Sequence, residues 1–479
     1  MNETQPNGWV ETTLDNIADW GSGGTPKSTE KKYYDGNIPW LIIADLNNGI
    51  VTRSNKRITE NGLKNSSAKW VEIGAVLIAM YGSIGKLGIA GIRCTTNQAI
   101  AFTTSIWGGI PNWYLFYYLK YQEADLLSMG QGGAQKNISQ TILKKYPIPI
   151  PPLNEQKRIV AKLDQIMPRI DEVKERLGKV PKIVKRFKQA VLIAAVAGKL
   201  TEKWRKQHKV EIEWEGKKLQ DMAEYQGGFA FESKRFNKAG NNQVIKIANV
   251  KRYGIDITLA PAFIDDQYAL EACRFRLMPG DVIISMTGTR NKRDYGFNAI
   301  VQPDTIPLFL NQRVSRLRCN KSSLLPEYLS IYMKTPDFRE FFFKDETGNV
   351  NQGNIGADAL KLAIIPTPHI EEQREIIRQV NKLFIFADRL ETHYRKAKAT
   401  VDKISQSVLA KAFRGELVIN ETELAEKEGR KYESAEKLLE RILKEKEKLV
   451  GKKAGGRGKK PNGTKKYQHK RKGNSGDGA

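Results

Sequence analysis

Pro149-Ile150-Pro151-Pro152-Leu153-Asn154-Glu155-Gln156-Lys157-Arg158-Ile159-Val160 returns 217 residues later as Pro366-Thr367-Pro368-His369-Ile370-Glu371-Glu372-Gln373-Arg374-Glu375-Ile376-Ile377. Each copy reads as a short proline-punctuated strand running into a helix. The same offset pairs Gln189-Ala190-Val191-Leu192 with Gln406-Ser407-Val408-Leu409, and Gly198-Lys199-Leu200 with Gly415-Glu416-Leu417. A globular unit followed by a long helix therefore occurs twice. Two similar arms suit a target with two separated parts.

The duplication extends upstream. Trp9, Leu14, Ile17 and Gly23 correspond to Trp214, Leu219, Met222 and Gly228. Ile43-Ala44-Asp45-Leu46 corresponds to Ile247-Ala248-Asn249-Val250, and Asn97-Gln98 to Asn311-Gln312. Gly74-Ala75-Val76-Leu77-Ile78-Ala79-Met80 and Gly280-Asp281-Val282-Ile283-Ile284-Ser285-Met286 each predict a turn leading into a buried strand. The offset climbs from about 205 to 217 along the unit, which puts the length differences in loops of the globular part.

The helical parts have a strict period. Ile159, Leu163, Ile166, Ile170, Val173, Leu177, Val180, Val184, Phe187 and Val191 alternate four and three apart. Ile376, Val380, Leu383, Ala387, Leu390, Tyr394, Ala397, Val401, Ile404 and Val408 repeat the steps. An apolar seam over more than four heptads predicts a coiled coil, with the other copy as its antiparallel partner. Pro168 and Pro181 predict a kink or short break in the first helix. The seam from Ile159 to Val191 would span about 50 Å if unbroken, so the pair could act as a ruler between the arms.

The expected fold is mixed α/β: two globular domains separated by two long antiparallel helices in a pseudo-two-fold repeat. The expected boundaries are 1–152 and 205–369 for the arms, and 153–204 and 370–420 for the helical regions. Leu438, Leu439, Ile442 and Leu443 predict an amphipathic helix within 421–450. A disordered basic tail is expected over 451–479.

The formal charge is +26. Residues 449–479 carry ten Lys or Arg against a single Asp, and most of the surplus lies outside them. Such a balance favours a polyanionic partner. Cys94, Cys273 and Cys319 are odd in number and far apart, which suggests reduced, buried thiols in a cytoplasmic protein. The opening Met1-Asn2-Glu3-Thr4-Gln5-Pro6-Asn7 lacks the apolar core of a secretory signal, and no run approaches the length of a membrane span.

Catalytic patterns are scarce. Gly82-Ser83-Ile84-Gly85-Lys86 resembles part of a phosphate loop, but Met80 and Leu87 break the match. His208, His369, His393 and His469 lack metal-ligand spacing. Glu232-Ser233-Lys234 with Asp221 is only a fragment of a nuclease pattern. The basic and polar clusters are more informative. The first arm offers Gly24, Thr25, Lys27, Lys31, Lys32 and Lys86, with Gln135 and Lys136 in a glycine-rich run. The second offers Lys234, Arg235, Lys251, Arg252, Thr289, Arg290, Lys292 and Arg293, with Gln352 and Asn354 in another polar run. Glycines admit phosphates to the backbone, Lys and Arg neutralise them, and Gln, Asn, Thr and Arg read base edges. Trp40, on an apolar strand, is expected in the core rather than stacked on a base.

Gly24-Thr25-Pro26 followed by Ile38-Pro39-Trp40 marks a family resemblance, as do Ala79-Met80-Tyr81-Gly82-Ser83-Ile84-Gly85-Lys86 and Thr96-Asn97-Gln98-Ala99. Pro149 to Gln156, Lys185-Arg186-Phe187-Lys188-Gln189-Ala190-Val191-Leu192 and Gly198-Lys199-Leu200-Thr201 fit it too. Over residues 1 to about 420, the chain resembles a specificity subunit of a type I restriction-modification system. That resemblance implies two target-recognition domains, each reading one part of a bipartite DNA site, spaced by the family's conserved helical regions. It implies a subunit without catalysis of its own, docked to two methyltransferase and two restriction/translocase subunits. S-adenosylmethionine, Mg²⁺ and ATP would belong to those partners, with no cofactor on this chain. Gln156, Arg158, Gln189, Gln373, Arg374 and Gln406 are the helix residues expected to dock partners. A coiled-coil adaptor with non-specific nucleic-acid binding and a single-chain DNA-modifying enzyme are the competing readings.

Overall fold

The computed structural model describes residues 6–131, 137–211, 214–252, 254–303, 306–349 and 351–455. The chain divides into two compact units, one formed by residues up to 174 with those from 399 onward, the other by residues 175–398. Each unit holds one mixed α/β arm and part of each long helix.

The repeated motif fixes how each arm closes. Pro147–Ile150 pairs antiparallel with Val10–Thr13, Val10 facing Ile150. Ile364–Thr367 pairs the same way with Glu215–Lys218, Glu215 facing Thr367. These ribbons have only two strands, so a proline can sit with its missing donor on a free edge. A long helix starts three residues after each ribbon, at Leu153 and at Ile370.

The main sheet of the first arm orders Ala18–Ser22, Ile100–Ile106, Val76–Ala79, Leu87–Ala90 and Ile50–Val51. The second arm orders Ala223–Gly227, Val314–Cys319, Val282–Ser285 and Asn298–Ile300. Val76–Ala79 and Val282–Ser285 occupy the same place and are buried at every residue. Unbroken apolar runs suit strands covered on both faces. Gly23 and Gly228 also correspond: a Cβ would lie 2.1 Å from the Thr96 carbonyl oxygen in one arm and 1.9 Å from that of Asn311 in the other. Trp40 is core, its indole N–H donating to the Gly24 carbonyl at 3.0 Å. Cys94 and Cys319 are buried free thiols, whereas Cys273 is exposed, contrary to expectation.

The helices Leu153–Val196 and Ile370–Phe413 have 44 residues each. In the first unit Ile159, Leu163, Met167 and Ile170 share a core with Leu409, Ala412 and Phe413. In the second, Val191 and Leu192 share a core with Ile376 and Val380. The start of one helix thus meets the end of the other within each unit, which is antiparallel pairing. The expected break does not occur, since helix runs through Pro168 and Pro181. Both prolines are exposed, so water can satisfy the carbonyls their missing N–H groups leave free. The seam is only partly buried: Val173, Leu390 and Ile404 remain exposed.

Beyond the second helix lie two helices, Glu421–Lys427 and Ala435–Gly455, rather than one. Leu438 and Ile442 of the latter are fully buried in the core of the first arm. Lys446 donates to an Asp15 carboxylate oxygen at 2.8 Å, and Glu445 accepts from the Gly108 N–H at 2.8 Å. The expected tail over 451–479 begins within this helix, and residues 456–479 lie outside the described part.

Candidate nucleic-acid interface

Two polar segments of the second arm, about 60 residues apart, become neighbours through a small antiparallel sheet. Thr287–Gly288 pairs with Gln352–Asn354, which pairs with Thr347–Asn349. Thr287 donates through its hydroxyl to the Asn354 side-chain oxygen at 3.0 Å. Arg290 donates to the Gly348 carbonyl at 3.1 Å and lies 3.7 Å from Glu346. The loop after Gly288 closes on itself, the Thr289 N–H donating to Asp294 at 2.7 Å. At the back of the sheet, Tyr295 donates to Glu346; burial first, then that carboxylate, pushes the phenol pKa up. Gly353 is required here, because a Cβ would meet the Tyr295 hydroxyl at 2.2 Å. Thr289, Arg290, Lys292, Arg293, Gln352 and Asn354 are therefore brought onto one platform. Arg290, Lys292, Arg293 and Gln352 are exposed on it.

The first arm repeats the arrangement. Ile138 donates its N–H to the Met80 carbonyl at 3.0 Å, as Ile355 does to Met286 at 2.9 Å. Tyr81 and Gln131 both bridge to Asn137. Gln135 and Lys136 fall within residues 132–136, outside the described part. Tyr81 stands where the second arm has Thr287, and its ring is partly exposed. Sequence reasoning passed over Tyr81, although the repeat offset was enough to find it.

Several expected contact residues prove to have structural duties. Gly24 is buried, and a Cβ there would strike Ser67 and Ala68 at about 2.4 Å, so its close approach is internal rather than toward a phosphate. Lys86 is half-buried and donates to the Ile43 carbonyl at 3.0 Å. Arg235 lies 3.5 Å from the Tyr268 ring centroid and 3.1 Å from Glu271. Lys234 pairs with Glu232 at 2.9 Å, which also engages the carboxylate of the nuclease-like fragment. Lys32 is exposed and pairs loosely with Glu30 at 3.5 Å. Thr25, Lys27 and Lys31 are exposed, Thr25 donating to the side chain of Gln98, a residue of the family motif that was not among the expected contacts. Lys251 is half-exposed and Arg252 exposed.

The helix residues expected to dock partners divide similarly. Gln156 and Gln373 are fully buried. Gln156 donates to the Pro151 carbonyl at 2.8 Å. Gln373 donates to Ser323 and Pro368 and accepts from the Leu325 N–H at 2.8 Å. Each amide ties a helix to its own arm and offers nothing to an incoming subunit. Arg158 is half-buried and paired with Glu421. Gln189, Arg374 and Gln406 are exposed.

The description "type I restriction modification DNA specificity domain" matches this chain twice, over residues 6–181 and 211–399. The chain belongs to the type I restriction-modification specificity-subunit family. The EcoKI specificity subunit of Escherichia coli (strain K12) is 29% identical over 478 residues, covering 94% of this chain and 98% of that one. The EcoBI specificity subunit of Escherichia coli is 28% identical, covering 93% and 94%. The MjaVIII specificity subunit of Methanocaldococcus jannaschii is 23% identical, covering 86% and 93%. A solved structure described under "complex assembly and conformational transition of the type I R-M system" shares the fold, with a TM-score of 0.66 and 19% identity over 86% of this chain and all of that one. A specificity subunit is the non-catalytic component that confers DNA sequence specificity, so the single-chain DNA-modifying enzyme and the coiled-coil adaptor with non-specific nucleic-acid binding are not favoured. Among the described residues, no helix is long and apolar enough to cross a membrane.

Proposed function

We propose that each arm of this specificity subunit reads one half of a bipartite duplex DNA site. The observation that carries the proposal is the platform beside Met80 and Met286, built alike in both arms but presenting different residues. A shared scaffold with unlike side chains suits two different half-sites docked in the same way. Exposed Arg290, Lys292 and Gln352 in the second arm, and Thr25, Lys27 and Lys31 in the first, supply phosphate and base-edge chemistry.

The long helices are the proposed seat of two methyltransferase subunits, with two restriction/translocase subunits completing the assembly in the cytoplasm. Support comes from apolar side chains left exposed on the helices, including Val173, Ile183, Ile385, Phe386 and Ile404. Exposed large apolar groups on a charged helix pair fit a covering protein better than water does. S-adenosylmethionine, Mg²⁺ and ATP would be bound by those partners. The test is co-expression with the partner methyltransferase followed by methylation mapping of the host genome. Two defined half-sites separated by unread bases are expected; a single contiguous site, or unselective methylation, would contradict the reading.

A further inference from the structure

Three arginines of the second unit alternate with two phenyl rings. The Arg252 guanidinium lies 5.6 Å from the Phe297 ring centroid, and Arg339 lies 5.6 Å from the same ring. Arg339 is also 5.0 Å from the Phe343 ring centroid, and Arg293 lies 5.0 Å from the same centroid. The order is Arg252, Phe297, Arg339, Phe343, Arg293. They come from three stretches of sequence, at Arg252, at 293–297 and at 339–343, which the fold brings together.

The arrangement is electrostatically incomplete. Among the described residues, none of the three arginines has a carboxylate within 4 Å, whereas their neighbour Arg290 leans on Glu346. Arg339 spends its donors on backbone, giving one to the Gly296 carbonyl at 3.1 Å and others to Tyr295 and Arg293 at 3.4 Å. Those bonds hold a strained loop, in which Arg293 has φ +45°. Burial first, then the fields of Arg252 and Arg293, push the Arg339 pKa below the usual arginine value. Arg293 and Arg339 open onto a groove of about 800 Å³, with Lys334, Lys344 and Gln189 in its wall and Glu340 its one acid. Ring faces attract the cations but cannot neutralise them. The missing component is an anion.

We propose that Arg252, Arg293 and Arg339 form a clamp for phosphodiesters of the DNA backbone, beside the platform that reads the second half-site. This assignment rests on the DNA-reading function proposed above and adds a division of labour within the arm. The platform strands at 287–289 and 347–354 select bases, and the arginine ladder, which begins at Arg293 on the platform's loop, supplies affinity without selecting sequence. Arg339 is the internal post, because it also braces the loop that presents Arg293.

The test uses the full-length chain and two duplexes, one carrying the target found by methylation mapping and one with both half-sites scrambled. Arg293→Gly suits the positive φ while removing the charge, and Arg252→Gln removes an exposed charge that has no side-chain hydrogen bond among the described residues. Each is expected to lower the slope of log affinity against log salt by about 0.9 on both duplexes, the value for one lost phosphate contact. The preference for target over scrambled duplex should stay within about twofold of wild type, since phosphate contacts carry no sequence information. Arg339→Lys, which keeps the charge, should keep the slope if folded; the other two variants decide the matter if it does not fold. An unchanged slope in both Arg252→Gln and Arg293→Gly would overturn the clamp. So would a lost sequence preference, which would make the arginines base readers. Lost co-purification of the methyltransferase with an unchanged slope would make the cluster a protein-docking surface and also overturn it. A wild-type chain preferring neither duplex would refute the proposed function, while the slopes on scrambled DNA would still judge the clamp.

Discussion

The indole N–H of Trp214 donates to Glu372 at 3.0 Å, across 158 residues of sequence. The first unit repeats the bond between Trp9 and Glu155 at 2.9 Å. Both carboxylates are buried in the first turn of a long helix, where the helix dipole favours negative charge. Each also anchors the segment that follows the opposite helix. Glu372 accepts from Thr201 at 2.7 Å and from Arg205; Glu155 accepts the Glu421 N–H at 2.8 Å. An arm is thus locked to its helix start by residues from elsewhere in the chain.

The lock in the second unit depends on charge. Arg205→Ala would leave Glu372 buried without its ion-pair partner, and is expected to cost about 3–5 kcal/mol. Trp214→Phe removes one hydrogen bond to a charged group and is expected to cost about 2 kcal/mol. Urea unfolding followed by circular dichroism checks both. Equal, small effects would show that Arg205 carries no special load.

Beside the equivalent lock in the first unit, the ion pairs of Glu421 are sensitive to acid. Burial raises the Glu421 pKa, but hydrogen bonds from Arg430, Arg158 and Asn154 outweigh it and hold the carboxyl below its usual 4.5. A depressed folded value means that this stabilisation is complete above the unfolded pKa and is lost as pH falls through the folded one. Glu421→Gln is expected to cost about 2 kcal/mol at neutral pH. The gap between variant and wild type should narrow as pH drops below 4.5. A gap independent of pH would rule out the charge as its origin.

The helix Ala435–Gly455 lies outside the matched family segments, yet it closes the core of the first arm through Leu438 and Ile442. Leu438→Ala and Ile442→Ala are each expected to cost about 2–5 kcal/mol, the range for truncating a buried aliphatic side chain. Thermal unfolding is the measurement. Unaltered stability would mean that the helix is dispensable to the arm.

The architecture was legible because it is written in periodic apolar positions. Ile159, Leu163, Val191, Ile376 and Val380 all enter the expected cores, and the runs ending at Met80 and Met286 contain the expected buried strands. The site was less legible, because a cation's letter does not reveal its partner. Lys86 caps a carbonyl, Arg235 stacks on Tyr268, and Gln156 and Gln373 are buried in their own arms. Arg339 gave no sequence signal, since it lies in the aromatic helix Pro336–Phe343 and meets Arg252 and Arg293 only on folding. Pro168 and Pro181 do not break the helix: an exposed proline removes a hydrogen bond without ending a long, tertiary-braced helix.

The two arms are proposed to be independent readers on a common scaffold. That independence is tested most directly by replacing residues 10–150, the first arm from its opening strand to its closing strand, with the equivalent arm of the EcoKI specificity subunit. Methylated bases are then mapped in cells carrying the chimera with its methyltransferase. The account predicts that one half-site changes while the other half-site stays as in wild type. A chimera that folds and supports methylation, but changes both half-sites or neither, would contradict it.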